Sequence, residues 1–107
     1  MTTFDDRGKG FEAKYKRDQE LQFKVMARRN KLLGLWAAEK MGVSGADAET
    51  YSKEVVVSDF DRPGDEDVLE KVHGDLGAKG LGLSASDVRK EMERLLDVAR
   101  QEIESEI

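Results

Sequence analysis

The chain of 107 residues has no cysteine, one proline, one histidine and only 7% aromatic residues. Without cysteine there can be no disulfide, no thiolate zinc ligand and no thiol nucleophile. That composition fits a reducing compartment. With His73 as the sole histidine and no Ser, Cys or second His at a motif spacing from it, a nucleophile–base pair cannot be assembled. No enzymatic activity, metal or cofactor is therefore expected. No apolar run approaches the roughly 18 residues needed to span a bilayer, so no membrane insertion is expected. Met1–Asp6 lacks the basic start and apolar stretch of a secretory signal, which points to a cytoplasmic protein.

Charge is plentiful, at 38% of residues, and it is unevenly placed. Residues 1–40 carry ten Lys/Arg against six Asp/Glu, a net of +4, whereas residues 41–107 carry eight against seventeen, a net of −9. A basic leading part on an acidic body suggests an interaction arm. Many charges with few aromatics and few prolines suit helices with wet outer faces.

Four amphipathic stretches are legible, at about 11–41, 45–58, 66–77 and 85–105. In the last, Val88, Met92, Leu95, Leu96, Ala99 and Ile103 fall on one side at 100° per residue. In the first, Leu21, Val25, Leu32, Leu35 and Trp36 form the expected stripe, flanked by Met26, Leu33 and Met41. Gly34 lies inside it and costs about 1 kcal/mol relative to Ala, which predicts a close helix contact there. The second stretch turns Ala48, Tyr51, Val55 and Val56 inward. Its run Val55-Val56-Val57 is β-branched, but no partner strand with matching alternation exists, so a helix is expected. The third turns in Val68, Leu69, Val72 and Leu76.

The punctuation agrees. Met41-Gly42-Val43-Ser44-Gly45-Ala46-Asp47 parallels Leu81-Gly82-Leu83-Ser84-Ala85-Ser86-Asp87. Each offers a glycine to end one helix, then a serine N-cap with an acid three residues on. The expected fold is all-α, a small four-helix bundle. Helix one outruns its partners, and a helix without tertiary support is marginal in water. Residues 1–18 are thus expected to form a basic arm, mobile over 1–10 and partly helical over 11–18, with the bundle spanning 19–107.

Two segments invite a chemical reading. Asp59-Phe60-Asp61-Arg62-Pro63-Gly64-Asp65-Glu66-Asp67-Val68-Leu69-Glu70 places acids at positions one, three, nine and twelve of an EF-hand loop and glycine at six. Pro63 occupies the fifth position, where an oxygen is required, and Glu66 the eighth, normally apolar. A turn with Asp65 capping the next helix is the better reading, and an acidic first turn suits the helix dipole. Gly77-Ala78-Lys79-Gly80-Leu81-Gly82 lacks the order of a phosphate loop and follows no strand, so a helix–helix connection is expected.

The first segment is different. Residues 7–31 hold nine Lys/Arg and three acids, and Phe11 and Tyr15 share one helical edge among Lys14, Lys16 and Arg17. Such an edge either extends the bundle core or enters a partner's groove. Nucleic acid is disfavoured, because the acidic remainder would repel phosphate.

Met1-Thr2-Thr3-Phe4-Asp5-Asp6-Arg7, then Gly10-Phe11-Glu12-Ala13-Lys14-Tyr15 and Arg28-Arg29-Asn30-Lys31-Leu32-Leu33-Gly34-Leu35-Trp36-Ala37-Ala38, resemble the zeta inhibitor subunit of bacterial F-type ATP synthases. The resemblance covers the whole chain and is densest over 1–42. It implies a small four-helix ATPase inhibitor, monomeric, peripheral to the inner membrane through the synthase. Its N-terminal segment would enter an α/β catalytic interface near the central stalk and block hydrolytic rotation. Partners would be the α, β and central-stalk subunits. On this basis Phe4, Arg7, Phe11, Lys14, Tyr15 and Arg17 are the candidate contacts, with the aromatics as anchors and the cations meeting acidic groups. The family is also associated with adenine nucleotides, although no motif here fixes a site. The competing expectations are a small nucleotide- or cation-responsive sensor and an adaptor whose basic arm binds another protein.

Overall fold

In the computed structural model, four helices follow one another: α1 (Thr2–Lys40), α2 (Gly45–Asp61), α3 (Glu66–Ala78) and α4 (Ala85–Ser105). The structure describes the backbone of residues 2–61 and 64–106, and the side chains of 18–59 and 64–106. Among the described residues there is no strand, and Val55-Val56-Val57 is helical. The expectations of a mobile stretch over 1–10 and a partly helical one over 11–18 fall, but for Asp18, on residues whose side chains lie outside the described residues.

Glycine ends two of the helices. Gly42 and Gly80 take φ of 75° and 74°, a left-handed backbone that side chains resist. Beyond α1, the amide of Val43 donates to Ala38 O at 2.8 Å and that of Gly42 to Glu39 O at 3.1 Å. Beyond α3, Leu81 N donates to Leu76 O at 3.2 Å and Gly80 N to Gly77 O at 2.9 Å. Both are Schellman closures, which satisfy carbonyls the helix itself leaves open. The sequence parallel had assigned the second stop to Gly82. Gly80 makes it instead, because its placement lets Leu81 fold back onto the core.

At the start of α4 the expected capping box is complete. Ser84 Oγ accepts from Asp87 N at 3.1 Å, and Asp87 Oδ2 accepts from Ser84 N at 3.0 Å. At α3, Asp65 occupies the N-cap position but makes no side-chain cap bond. Its carboxylate is engaged elsewhere, as described below.

The core comprises Leu33 and Ala37 of α1, Val55 of α2, Val68, Leu69, Val72 and Leu76 of α3, and Val88, Met92 and Leu95 of α4. Fully burying a valine or leucine contributes about 1.5–3 kcal/mol. The faces expected for α3 and α4 are the buried ones, save that Leu96 is only half-buried. On α1 the buried face is rotated from the expected stripe. Arg29, Asn30, Leu33, Gly34, Ala37 and Ala38 are buried, while Leu32, Leu35 and Trp36 are half-buried at its margin. The cause is close approach. A Cβ at Gly34 would lie 2.6 Å from Ser52 Cα and 3.2 Å from Val55 Cγ2. Small residues therefore occupy the line of contact between α1 and α2, and the large apolar ones straddle it. Gly34 is the close contact the sequence predicted.

Candidate partner-binding site

All six candidate contacts, Phe4, Arg7, Phe11, Lys14, Tyr15 and Arg17, lie on α1, and their side chains fall outside the described residues. The structure does describe how the helix carrying them is mounted. α1 has 39 residues against 17 in α2, 13 in α3 and 21 in α4. Asn30 meets Asp59, and α2 ends two residues later at Asp61. At 1.5 Å per residue, α2 therefore accompanies α1 no further back than about Ala27.

Three consecutive residues secure α1 at that point, each to a different element. Arg28 donates from Nη1 to Glu102 Oε1 at 2.9 Å and from Nη2 to Glu106 Oε1 at 2.7 Å, both on or just beyond α4. Arg29 donates from Nη2 to Asp65 Oδ1 at 2.9 Å, at the start of α3, and from Nε to Asn30 Oδ1 at 2.9 Å. Asn30 donates from Nδ2 to Asp59 Oδ2 at 3.2 Å, on α2. The Arg29 side chain is 2% exposed and that of Arg28 is 29% exposed, so the two adjacent arginines work in different media. Hydrogen bonds from Glu106, then Glu102, push the Arg28 guanidinium above its already high ordinary pKa, and it stays charged throughout the accessible range.

A second polar knot joins α2 to α3. Tyr51 donates its hydroxyl to Asp75 Oδ2 at 2.8 Å, and Lys71 Nζ lies 3.1 Å from the same oxygen and 5.2 Å from the centre of the Tyr51 ring. Burial first, then the bond to Asp75, raise the Tyr51 pKa well above the ordinary phenol value, so it remains a donor. On α1 itself, Phe23 is 59% exposed on the stretch running back from the anchor.

The two chemical readings of the sequence resolve locally. Asp59 accepts from Asn30 and Asp65 from Arg29, so both belong to the α1 anchor. Phe60, Asp61, Arg62 and Pro63 of the candidate cation loop lie outside the described side chains. In the glycine-rich turn, the amides of Lys79, Gly80 and Leu81 all point back to carbonyls of α3. Those N–H groups are engaged in ending a helix and do not converge on a phosphate.

Sequence reading missed the anchor. It counted Arg28 and Arg29 among the cations of a basic segment, although Arg29 and Asn30 sit four and three residues before the buried Leu33. That spacing places both on the inner face and was the available signal.

Comparison with known proteins agrees with this architecture. The model of a family described as ATPase inhibitor subunit zeta matches residues 1–102. The chain is also similar to a protein whose solution NMR structure is 47% identical, with a TM-score of 0.72, covering 81% of this chain and 99% of that one. No curated protein matches.

Proposed function

Because the chain belongs to the ATPase inhibitor subunit zeta family, we propose that it restrains ATP hydrolysis by a rotary F-type ATP synthase, with residues 1–18 as the inhibitory arm and 19–107 as the bundle that holds it. The arm inserts at an α/β catalytic interface near the central stalk and obstructs rotation in the hydrolytic direction. The observation that carries this reading is the extent of the family match, residues 1–102, which takes in the basic segment together with the bundle. The anchor at Arg28, Arg29 and Asn30 supports the division of labour, because it ties α1 to each of the other helices at the point where α2 gives out. Phe4, Phe11 and Tyr15 act as apolar anchors, and Arg7, Lys14 and Arg17 meet acidic groups and speed the encounter. Association with the synthase places the protein at the inner membrane surface without insertion. Among the described residues no helix is long and apolar enough to cross a membrane.

The test is ATP hydrolysis by the catalytic head of a bacterial F-type synthase, with the full chain or a version lacking residues 1–14 added. Inhibition by the full chain alone is expected. Equal inhibition by both versions would contradict the assignment of the arm, and no inhibition or binding by either would overturn the reading as a whole.

A further inference from the structure

The C-terminal end of α4 goes against a local preference. A helix leaves carbonyls open at its last turn, and its dipole favours lysine or arginine there. The last turn of α4 holds Glu102 and Glu104 instead, with Glu106 as the C-cap and no basic residue. Arg100, just before it, faces back to Asp97 on its own helix. Such an ending disfavours the helix that bears it. A local conflict of this kind marks groups that act outside their own element.

The outside partner is Arg28 of α1. Glu102 and Glu106 are one helical turn apart, and Arg28 divides its guanidinium between them, Nη1 at 2.9 Å from one and Nη2 at 2.7 Å from the other. α1 thus supplies the cation that the end of α4 lacks. The turn that receives it is braced. Ile103 is 5% exposed, Ser105 Oγ donates to Glu102 O at 2.9 Å, and Glu106 N donates to Ile103 O at 3.1 Å.

The three charged side chains keep between 29% and 55% of their exposure, so the fork adds little to stability. What it supplies is direction. A planar guanidinium held by two carboxylates on two side chains accepts few orientations, whereas a single pair accepts many. From Arg28 back to Thr2, α1 continues as one helix, roughly 40 Å at 1.5 Å per residue. A change of about 10° in its direction at Arg28 displaces its beginning by about 7 Å.

We infer that Arg28, Glu102 and Glu106 are positioning residues for inhibition, a clasp by which the C-terminal turn of the chain sets the direction of the N-terminal arm. The inference rests on the inhibitor reading above, and it gives a part in that activity to residues at the other end of the chain. Glu106 lies beyond residues 1–102, the extent of the family match, so the match does not assign it. An arm already aimed loses less freedom on entering a partner, and the clasp raises potency in that way.

Glu102→Gln with Glu106→Gln keeps the shapes and removes both charges. The concentration of this variant for half-inhibition of hydrolysis by the catalytic head is expected to rise about three- to tenfold. The change also relieves the conflict with the helix dipole, so the thermal midpoint is expected to move little. Arg28→Glu with Glu102→Arg and Glu106→Arg exchanges the signs and is expected to restore potency to within about twofold. The direction itself is read without the enzyme. The chain has no cysteine, so Asp18→Cys and Lys90→Cys place two spin labels on exposed sites of α1 and α4. Their distance distribution is expected to broaden when both glutamates are changed. Unchanged potency, or an unchanged distribution, in the glutamine variant overturns the clasp while the inhibitor reading stands. A loss of potency that follows a fall in the thermal midpoint and is not restored by the exchange makes the fork a structural pair only, and overturns the clasp as well. If the unaltered chain fails to inhibit, the inhibitor reading falls and the positioning role falls with it.

Discussion

Arg29 reaches from the buried face of α1 to Asp65 at 2.9 Å, pairing a side chain that is 2% exposed with one that is 43% exposed. The bond draws the carboxylate away from the cap position it occupies at the start of α3. Connection between helices thereby takes precedence over local helix-end satisfaction. Removing Arg29 leaves the Asp65 carboxylate and the Asn30 side-chain oxygen Oδ1 without their buried donor. Because Asp65 is partly solvated, Arg29→Ala is expected to cost about 1–3 kcal/mol rather than the larger penalty of a fully buried pair. Arg28→Ala, next door but only half-buried and paired with partly solvated carboxylates, should cost less, about 1 kcal/mol. Chemical denaturation of the two variants checks the order, and equal losses would contradict the distinction between the two arginines.

Gly34→Ala sets two effects against each other. Alanine is the better helix former by about 1 kcal/mol. Its Cβ, however, would stand 2.6 Å from the backbone of Ser52, which cannot move aside as a flexible side chain could. Overpacking costs typically 1–3 kcal/mol, and contact with backbone belongs at the upper end. Net destabilisation is expected, lowering the thermal midpoint by several degrees at roughly 4–8 °C per kcal/mol for a domain of this size.

Tyr51 predicts an alkaline signature. Its folded pKa is raised, so above about pH 10 the unfolded chain releases a proton that the folded one retains. The contribution is present below the ordinary phenol pKa and is lost as the pH rises past it. Ultraviolet titration of a Tyr15→Phe chain should show the remaining tyrosine ionising late or only with unfolding. Tyr51→Phe should remove that behaviour and cost about 0.5–1.5 kcal/mol through loss of the bond to Asp75.

Ser84→Ala removes one half of the α4 capping box and is expected to cost about 1 kcal/mol. The partner acid responds to pH in the opposite sense from Tyr51. The backbone amide and hydroxyl of Ser84 hold the Asp87 carboxyl below its usual range. Its contribution is complete above the ordinary aspartate pKa and disappears as the pH falls through the lowered one. Asp87→Asn should therefore flatten the acid limb of a stability–pH profile measured by denaturation.

In the arm, Phe11→Ala or Tyr15→Ala is expected to raise the concentration for half-inhibition of hydrolysis roughly 30-fold, equivalent to about 2 kcal/mol. The thermal midpoint of the bundle is expected to change little. A large fall in that midpoint with unaltered potency would assign these aromatics to the core instead.

The helices were legible because their patterns are local. α3 and α4 have one apolar stripe each, and the sequence places Val68, Leu69, Val72, Leu76, Val88, Met92 and Leu95 where the structure buries them. α1 was harder to read, since its inner face is made of Arg29, Asn30, Gly34, Ala37 and Ala38, residues that score as polar or small. Apolar periodicity follows side-chain size, whereas close packing on α2 requires little of it. Gly34 betrayed the contact, and the spacing of Arg29 and Asn30 from Leu33 put them on the same inner face, but their partners Asp65 and Asp59 lie 36 and 29 residues away, beyond the reach of a local pattern. The candidate contacts were named from a charge imbalance and a family resemblance, and the only sequence signal of their mounting was the spacing of Arg29 and Asn30 from Leu33.

The mounting has a mechanical meaning. A helix held at one residue can swivel about it, and one held on a single side can peel away. α1 is gripped at three successive residues, and since successive side chains on a helix are turned by about 100°, the three grips face different directions. Rotation about the helix axis, tilting toward α4 and tilting toward α2 each strain a different bond. Residues 18–27, where Leu21 and Val25 still line a groove with Leu96 and Ile103 of α4, thus run past the end of α2 like a shaft through a bearing, with their angle fixed. A sideways load on the shaft is carried into three helices at once rather than into a loop.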